Sequence, residues 1–161
     1  MVIIGIDPGS RRIGYGILEK QGGSLRLLKT GTLRVKSHED AEALGETRRE
    51  FSRLLTLFKP KVLAIEKLYF AKNKKTALQV AQARGVILGE AAERGLRIEE
   101  YTPNEIKAGV AGYGLADKKA VAKMVHIILG EKGGLKVVDD ATDALAAAIL
   151  AAGRVVDKRE S

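Results

Sequence analysis

Two acidic residues stand directly at the ends of apolar runs: Asp7 after Ile3-Ile4-Gly5-Ile6, and Glu66 after Val62-Leu63-Ala64-Ile65. Short apolar runs rich in β-branched residues read as buried strands. A carboxylate at the end of such a strand is delivered to the rim of a sheet. A second pair, Asp140 and Asp143, has the i, i+3 spacing that puts both on one face of a helix's first turn. Carboxylates gathered at one rim repel one another unless a divalent cation neutralises them. The acids therefore demand a fold in which distant segments converge, and they point to metal-dependent chemistry.

The rest of the chain is basic, with a formal net charge of +8 over 161 residues. An acidic cluster on a basic protein suits an enzyme that acts on a polyanion such as nucleic acid. The length is that of one domain, expected over residues 1–152, with a charged tail over 153–161 that has no periodicity and is expected to be disordered. There is no Cys, which excludes disulfides, thiolate zinc sites and Cys nucleophiles. The two His, His38 and His126, lie far apart, and His126, inside a helical pattern, is read as a packing or surface residue. No apolar run approaches membrane length and the chain opens on a strand rather than a signal peptide, so a cytoplasmic protein without membrane attachment is expected.

The pattern along the chain is three strands, then alternating helices and strands. Val2–Asp7, a run around Ile13, Tyr15 and Ile17, and Leu25–Val35 are separated by turn residues and predict an antiparallel meander. Ser37 is expected to cap a helix that presents Leu44, Phe51, Leu55 and Phe58 on one face and ends at Pro60. Val62–Ile65 suits a central parallel strand. A helix rich in Ala and Gly is expected from about Asn73 to Arg94, with a face small enough for close approach to the sheet or to a second copy. Leu96–Tyr101 predicts a strand, and Thr102-Pro103 starts a helix with Thr102 as N-cap. Asp117 opens the next helix, which Gly130 closes, and Asp139 is read as the N-cap of a last helix from about Asp140 to Ala152.

That order, β-β-β-α-β-α-β-α, resembles a ribonuclease-H-like fold: α/β, with a mixed five-stranded sheet flanked by helices. The resemblance implies that the first and fourth strands are central neighbours, which sets Asp7 beside Glu66 and brings the last helix over both. Hydrolysis of a phosphodiester needs an attacking water, relief of charge on the phosphate and help for the leaving oxygen. Two Mg2+ ions about 4 Å apart supply all three, with carboxylates and waters completing their shells. Asp7, Glu66, Asp140 and Asp143 are the candidate catalytic and metal-binding residues, with Asp7 expected to bridge the ions and Mn2+ as a possible substitute.

Several motifs in order carry a closer resemblance. They are Gly5-Ile6-Asp7-Pro8-Gly9-Ser10 with Gly14-Tyr15-Gly16, Ile65-Glu66 with Ala71-Lys72-Asn73, Gln82-Ala83-Arg84-Gly85, Tyr101-Thr102-Pro103 with Ile106-Lys107, Ala116-Asp117-Lys118, and Asp140-Ala141-Thr142-Asp143-Ala144-Leu145-Ala146. Together they resemble the RuvC family of Holliday-junction resolvases along nearly the whole chain. The resemblance implies a homodimer that makes paired, symmetric nicks in four-way junction DNA with Mg2+ during recombination and repair, working with the RuvA-RuvB branch-migration complex. It implies that Lys107 and Lys118 touch phosphates near the cut. Tyr69 falls where the family inserts an aromatic, usually Phe, near the junction centre, and Phe70 lies beside it.

Lys67, Lys72, Asn73, Lys74 and Lys75 surround these two rings, a charge-plus-aromatic pattern suited to a DNA backbone. Lys119 is a further candidate DNA contact, whereas Arg84 is read as an interface or helix-surface residue, and Lys158 and Arg159 as tail charges. Two other readings compete. An ATPase of the actin and sugar-kinase type shares the Asp7-Pro8-Gly9 turn but needs a second such domain. A non-catalytic DNA-binding module predicts lost acids, and none of the four is missing.

Lysines bind any backbone, so discrimination of junction from duplex is expected to rest on the aromatic pair. Stacking on a base contributes roughly 1–3 kcal/mol. Replacing both rings, Tyr69→Ala with Phe70→Ala, is expected to slow junction cleavage about tenfold or more, with duplex affinity at matched salt and the thermal melt retained. An unchanged cleavage rate refutes insertion, and a collapsed melt shows that Phe70 is core.

Overall fold

The computed structural model describes residues 1–68, 76–130 and 141–155. Tyr69, Phe70, Lys72, Asn73, Lys74, Lys75, Asp139, Asp140, Lys158 and Arg159 lie outside the described residues. The elements are β1 (Val2–Asp7), β2 (Arg12–Gln21), β3 (Ser24–Arg34), α1 (Asp40–Phe58), β4 (Val62–Glu66), α2 (Ala77–Glu93), β5 (Arg97–Tyr101), α3 (Pro103–Ala111), α4 (Lys118–Leu129) and α5 (Thr142–Arg154). The sheet runs β3-β2-β1-β4-β5. β1, β2 and β3 form the expected antiparallel meander, and β4 and β5 add to β1 in parallel. This is the ribonuclease-H-like, five-stranded α/β arrangement, with β1 and β4 as central neighbours.

Strand alternation sorts the core into two layers. Ile4, Ile6, Leu63 and Ile65 pack under α1 and α2 with Phe51, Leu55, Ile87 and Ala91. Ile3, Val62 and Ala64 face the other way, toward Ile106 of α3, Val121 and Val125 of α4, and Leu145 and Ala148 of α5. The same parity carries to the strand ends. Asp7 falls in register with Ile3 and Gly5, and Glu66 with Val62 and Ala64, so both acids belong to the α5 side of the sheet.

α5 lies unusually low on that side. Its residues Ala144 to Ala152 are all buried, and a Cβ placed on Gly5 would meet the carbonyl oxygen of Ala144 at 1.9 Å. A Cβ on Gly16 would meet Leu145 Cδ2 at 2.3 Å. Gly16, Gly5 and Ala64 are paired across three adjacent strands, so the sheet has a trough of small residues where the helix crosses. At the far end Lys20 Nζ donates to the carbonyls of Ala152 (2.9 Å) and Val155 (3.0 Å), which satisfies the open C-terminus of the helix. On the opposite layer, buried Glu90 of α2 accepts from Arg48 Nε of α1 and Arg94 Nε, both at 2.8 Å. These cations hold its carboxyl down at about 2 and pin α1 to α2.

Three local expectations change. The N-cap of α1 is Glu39, without a side-chain cap bond; Ser37 Oγ instead donates to Glu42 Oε2 at 2.9 Å. Its buried stripe is Ala43, Thr47, Phe51 and Leu55, one residue round from Leu44, because Thr47 satisfies its hydroxyl on Ala43 O at 2.9 Å and so packs as a small core residue. At the C-terminus α5 begins at Thr142 with Ala141 as N-cap, where Asp139 was expected, and runs through Arg154 into buried Val155. The helix therefore extends into the stretch expected to be tail.

Gly5→Ala tests the trough. Backbone meets backbone there, so no side chain can give way. The substitution is expected to cost about 3 kcal/mol or more, lowering the thermal melt by about 6–12 °C, and to abolish cleavage in protein that remains folded. A wild-type melt shows that α5 does not sit as close as described.

Candidate active site

Three elements deliver carboxylates to one rim. Asp7 ends β1 and Glu66 ends β4, one step beyond the paired residues Ile6 and Ile65. Asp143 comes from the first turn of α5, where the N-terminal end of a helix favours an anion. These three acids line one pocket of about 330 Å3 together with Pro103, Ile106, Lys107, Lys118 and Val121. α3 and α4 form its remaining walls. Thr102 and Glu105 close a reciprocal capping box, with Thr102 N donating to Glu105 Oε2 at 2.8 Å and Glu105 N to Thr102 Oγ1 at 3.1 Å. That fixes where α3 starts, and Pro103, Ile106 and Lys107 then share one face. Asp117 Oδ1 accepts from Ala120 N at 2.7 Å and starts α4, which places Lys118 and Val121 at the pocket.

The electrostatics are those of a crowded anionic site. The Asp7 carboxyl is raised from 3.8 to about 7, first by burial and then by the charges of Asp143 and Glu66, with Lys118 opposing. Lys118 Nζ donates to Asp143 Oδ2 at 3.0 Å, and that bond raises the lysine above its ordinary value.

The donor chemistry fits a hard divalent cation: carboxylate oxygens only, with no His or Cys among the lining residues. Among the described residues no group of three such side chains is closed into a ready-made metal cage. Asp143 is engaged by Lys118, and Asp140, the fourth expected ligand, lies outside the described residues.

Of the residues singled out in the sequence, Asp7, Glu66, Asp143, Lys107 and Lys118 are thus brought together. Lys119 is exposed and is not among the residues lining the pocket. Tyr69, Phe70, Lys72 and Asn73 lie outside the described residues. Arg84, expected at an interface or on the helix surface, is mostly buried behind the rim, its side chain 14% exposed. Sequence reasoning also missed the part played by Gly5 and Gly16. The signal was present, since an isolated glycine within a strand marks close approach of another backbone.

A family model described as crossover junction endodeoxyribonuclease RuvC matches residues 3–151. The chain belongs to the RuvC family. The family's crossover junction endodeoxyribonuclease of Natranaerobius thermophilus is 45% identical over 150 residues, covering 92% of this chain and 92% of that protein. The structure of Thermus thermophilus RuvC in complex with Holliday junction substrate superposes with a TM-score of 0.83 at 34% identity, over 94% of this chain and 93% of that one. The yeast mitochondrial Holliday junction resolvase matches with a TM-score of 0.67 at 16% identity, over 94% of this chain and 76% of that chain, a likeness of fold alone.

The raised Asp7 carboxyl has a measurable consequence in metal-free protein. In the unfolded chain Asp7 releases its proton near 3.8; in the folded protein it keeps it to about 7. Between these values the folded state binds more protons, so stability falls as pH rises. Metal-free Asp7→Asn is therefore expected to melt several degrees above wild type at pH 8, with the gap closing toward pH 4. It is also expected to lose cleavage while retaining junction binding. A melt difference that does not vary with pH refutes the crowding, and metal-dependent nicking by Asp7→Asn refutes the assignment of the site.

Proposed function

We propose that this protein resolves four-way DNA junctions by paired, symmetric hydrolysis of phosphodiesters, as a cytoplasmic homodimeric nuclease of recombination and repair. The observation that carries this reading is the convergence of Asp7, Glu66 and Asp143 with Lys107 and Lys118 around one pocket, in a chain whose family is named for crossover junction cleavage. No helix among the described residues is long and apolar enough to cross a membrane.

Asp7, Glu66 and Asp143, with Asp140, would hold two Mg2+ ions, for which Mn2+ can substitute. The chemistry such ions would supply there is activation of a water and neutralisation of charge on the phosphate. The chain's own residues do the rest. Asp7, paired with Gly14 at the end of the central strand β1, presents oxygen ligands from a fixed strand end. Lys118 balances the acids before substrate arrives, and an incoming phosphate competes with Asp143 for its ammonium. Lys107, one turn into a capped helix, meets the strand from the opposite wall. Ile106 and Val121 give the pocket walls an apolar lining. Tyr69 or Phe70 would read the opening of the junction, with Lys72 and Asn73 on the backbone and Lys119 on the strand leaving the site. By family resemblance, the RuvA-RuvB complex would deliver the junction.

Symmetric incision needs two such pockets. Leu78, Gln82, Gly85 and Gly89 form an exposed stripe along α2, and a Cβ on Gly85 or Gly89 would meet nothing within 4 Å. We assign this face to contact between two copies.

The deciding experiment compares a synthetic four-way junction with a linear duplex of the same sequence, with and without Mg2+. Paired nicks in the junction alone, dependent on metal, are expected; equal cutting of the duplex, or cutting in chelator, refutes the proposal. For the dimer, Gly85→Leu gains about 1 kcal/mol of helix propensity yet obstructs the stripe. It is expected to sediment as a monomer with an unimpaired monomer fold and to nick one strand at a time. A dimer with paired nicking moves the interface elsewhere.

A further inference from the structure

We infer that Arg84 is a positioning residue for the Glu66 carboxylate, fixing the peptide unit from which that side chain projects. The inference deepens the nuclease reading and rests on it. Arg84 lies midway along α2, yet its side chain is turned inward and is 14% exposed. A guanidinium so covered needs its donors engaged. Its Nε donates to the main-chain oxygen of Glu66 at 3.2 Å, and its Nη2 is paired with the carboxylate of Glu100 on β5.

The main-chain geometry gives this contact its meaning. Pairing between β1 and β4 stops at Ile6 and Ile65, one residue short of Glu66. The N–H of Lys67 donates to Tyr101 O at 2.8 Å. The Glu66 oxygen and the Lys67 N–H belong to the same planar peptide unit. That plane is held at one end by β5 and at the other by Arg84, so rotation about the Glu66 Cα–C bond is blocked. Its side chain then leaves the strand end in a fixed direction toward the rim. Without Arg84 the plane loses this hold on its oxygen and can tilt. Glu100 holds the guanidinium so that Nε faces the carbonyl. Lysine keeps a charge for Glu100 but lacks the planar fork that serves both partners at once.

The test uses the full chain and Arg84→Gln, Arg84→Lys and Glu100→Gln. For Arg84→Gln, kcat on a four-way junction is expected to fall about 10- to 100-fold, with KM and metal-free junction affinity within about twofold. Affinity of the free protein for Mn2+, measured by calorimetry without DNA, is expected to weaken about tenfold or more. Arg84→Lys should recover part of that affinity, and Glu100→Gln should weaken it in the same sense but less. Wild-type kcat and Mn2+ affinity in Arg84→Gln overturn the inference. So does weaker junction binding with a salt slope reduced by about one, which marks a phosphate contact instead. A lower melt shared by both Arg84 variants, with Mn2+ affinity intact, reduces the residue to a structural role and also overturns it. Should Arg84→Gln not fold, Glu100→Gln decides on the same readouts. A wild type that fails to cut junctions overturns the proposed function, and the Mn2+ titration, which needs no turnover, still judges Arg84.

Discussion

The contact between the backbone of α5 and the backbone of β1 at Gly5 sets the geometry of everything around the site. The carbonyl oxygen of Ala144 occupies the space a Cβ would need. Only glycine permits that approach, and the paired Gly16 and Ala64 widen it into a trough. A helix resting on larger residues would ride higher on the sheet and carry Asp143 away from Asp7. The run of alanines in α5 meets the same requirement from the helix side, while Lys20 secures its other end. Packing and chemistry are therefore one constraint: the helix must be low for the acids to meet.

Meeting has an electrostatic cost. Asp7 is partly desolvated and faces two like charges, which is why its carboxyl holds a proton to about 7. The rest of the fold absorbs this repulsion through two core layers and a charge-paired opposite face in which Glu90 binds α1 to α2. Lys118 offsets part of it locally. That lysine is 86% exposed, so solvent screens its pairing with Asp143.

Support for the rim extends beyond the residues lining the pocket. The capping box of Thr102 and Glu105 sets the register of α3, Asp117 sets that of α4, and Arg84 grips the end of β4. Each acts on a terminus, where an element has unsatisfied backbone groups and is free to fray. The pocket is built almost wholly from element ends, so the fold secures ends.

Much of this was legible in the chain. The alternation of short apolar runs and helical patterns gave the element order, because burial period is written in local sequence. Acids at Asp7 and Glu66 marked strand ends because each follows a short apolar run of strand length, whereas the similar run before Glu90 belongs to a long helical pattern. Thr102-Pro103 and Asp117 declared their caps, since capping is a short-range hydrogen bond between neighbours. Other features depended on partners distant in the chain. Thr47 enters the core through its bond to Ala43, so the stripe of α1 falls one residue from the apolar count. Gly5 could have signalled the close approach of some backbone, but not that it is Ala144. Arg84 read as an interface or helix-surface residue because an arginine on a small-faced helix gives no sign of direction; Glu100 and the Glu66 carbonyl turn it inward. Sequence by itself determined which residues could end strands, cap helices and bind metal. Tertiary structure alone decided which face the acids share and how closely a helix may approach them, because both depend on contacts between segments that the chain order does not specify.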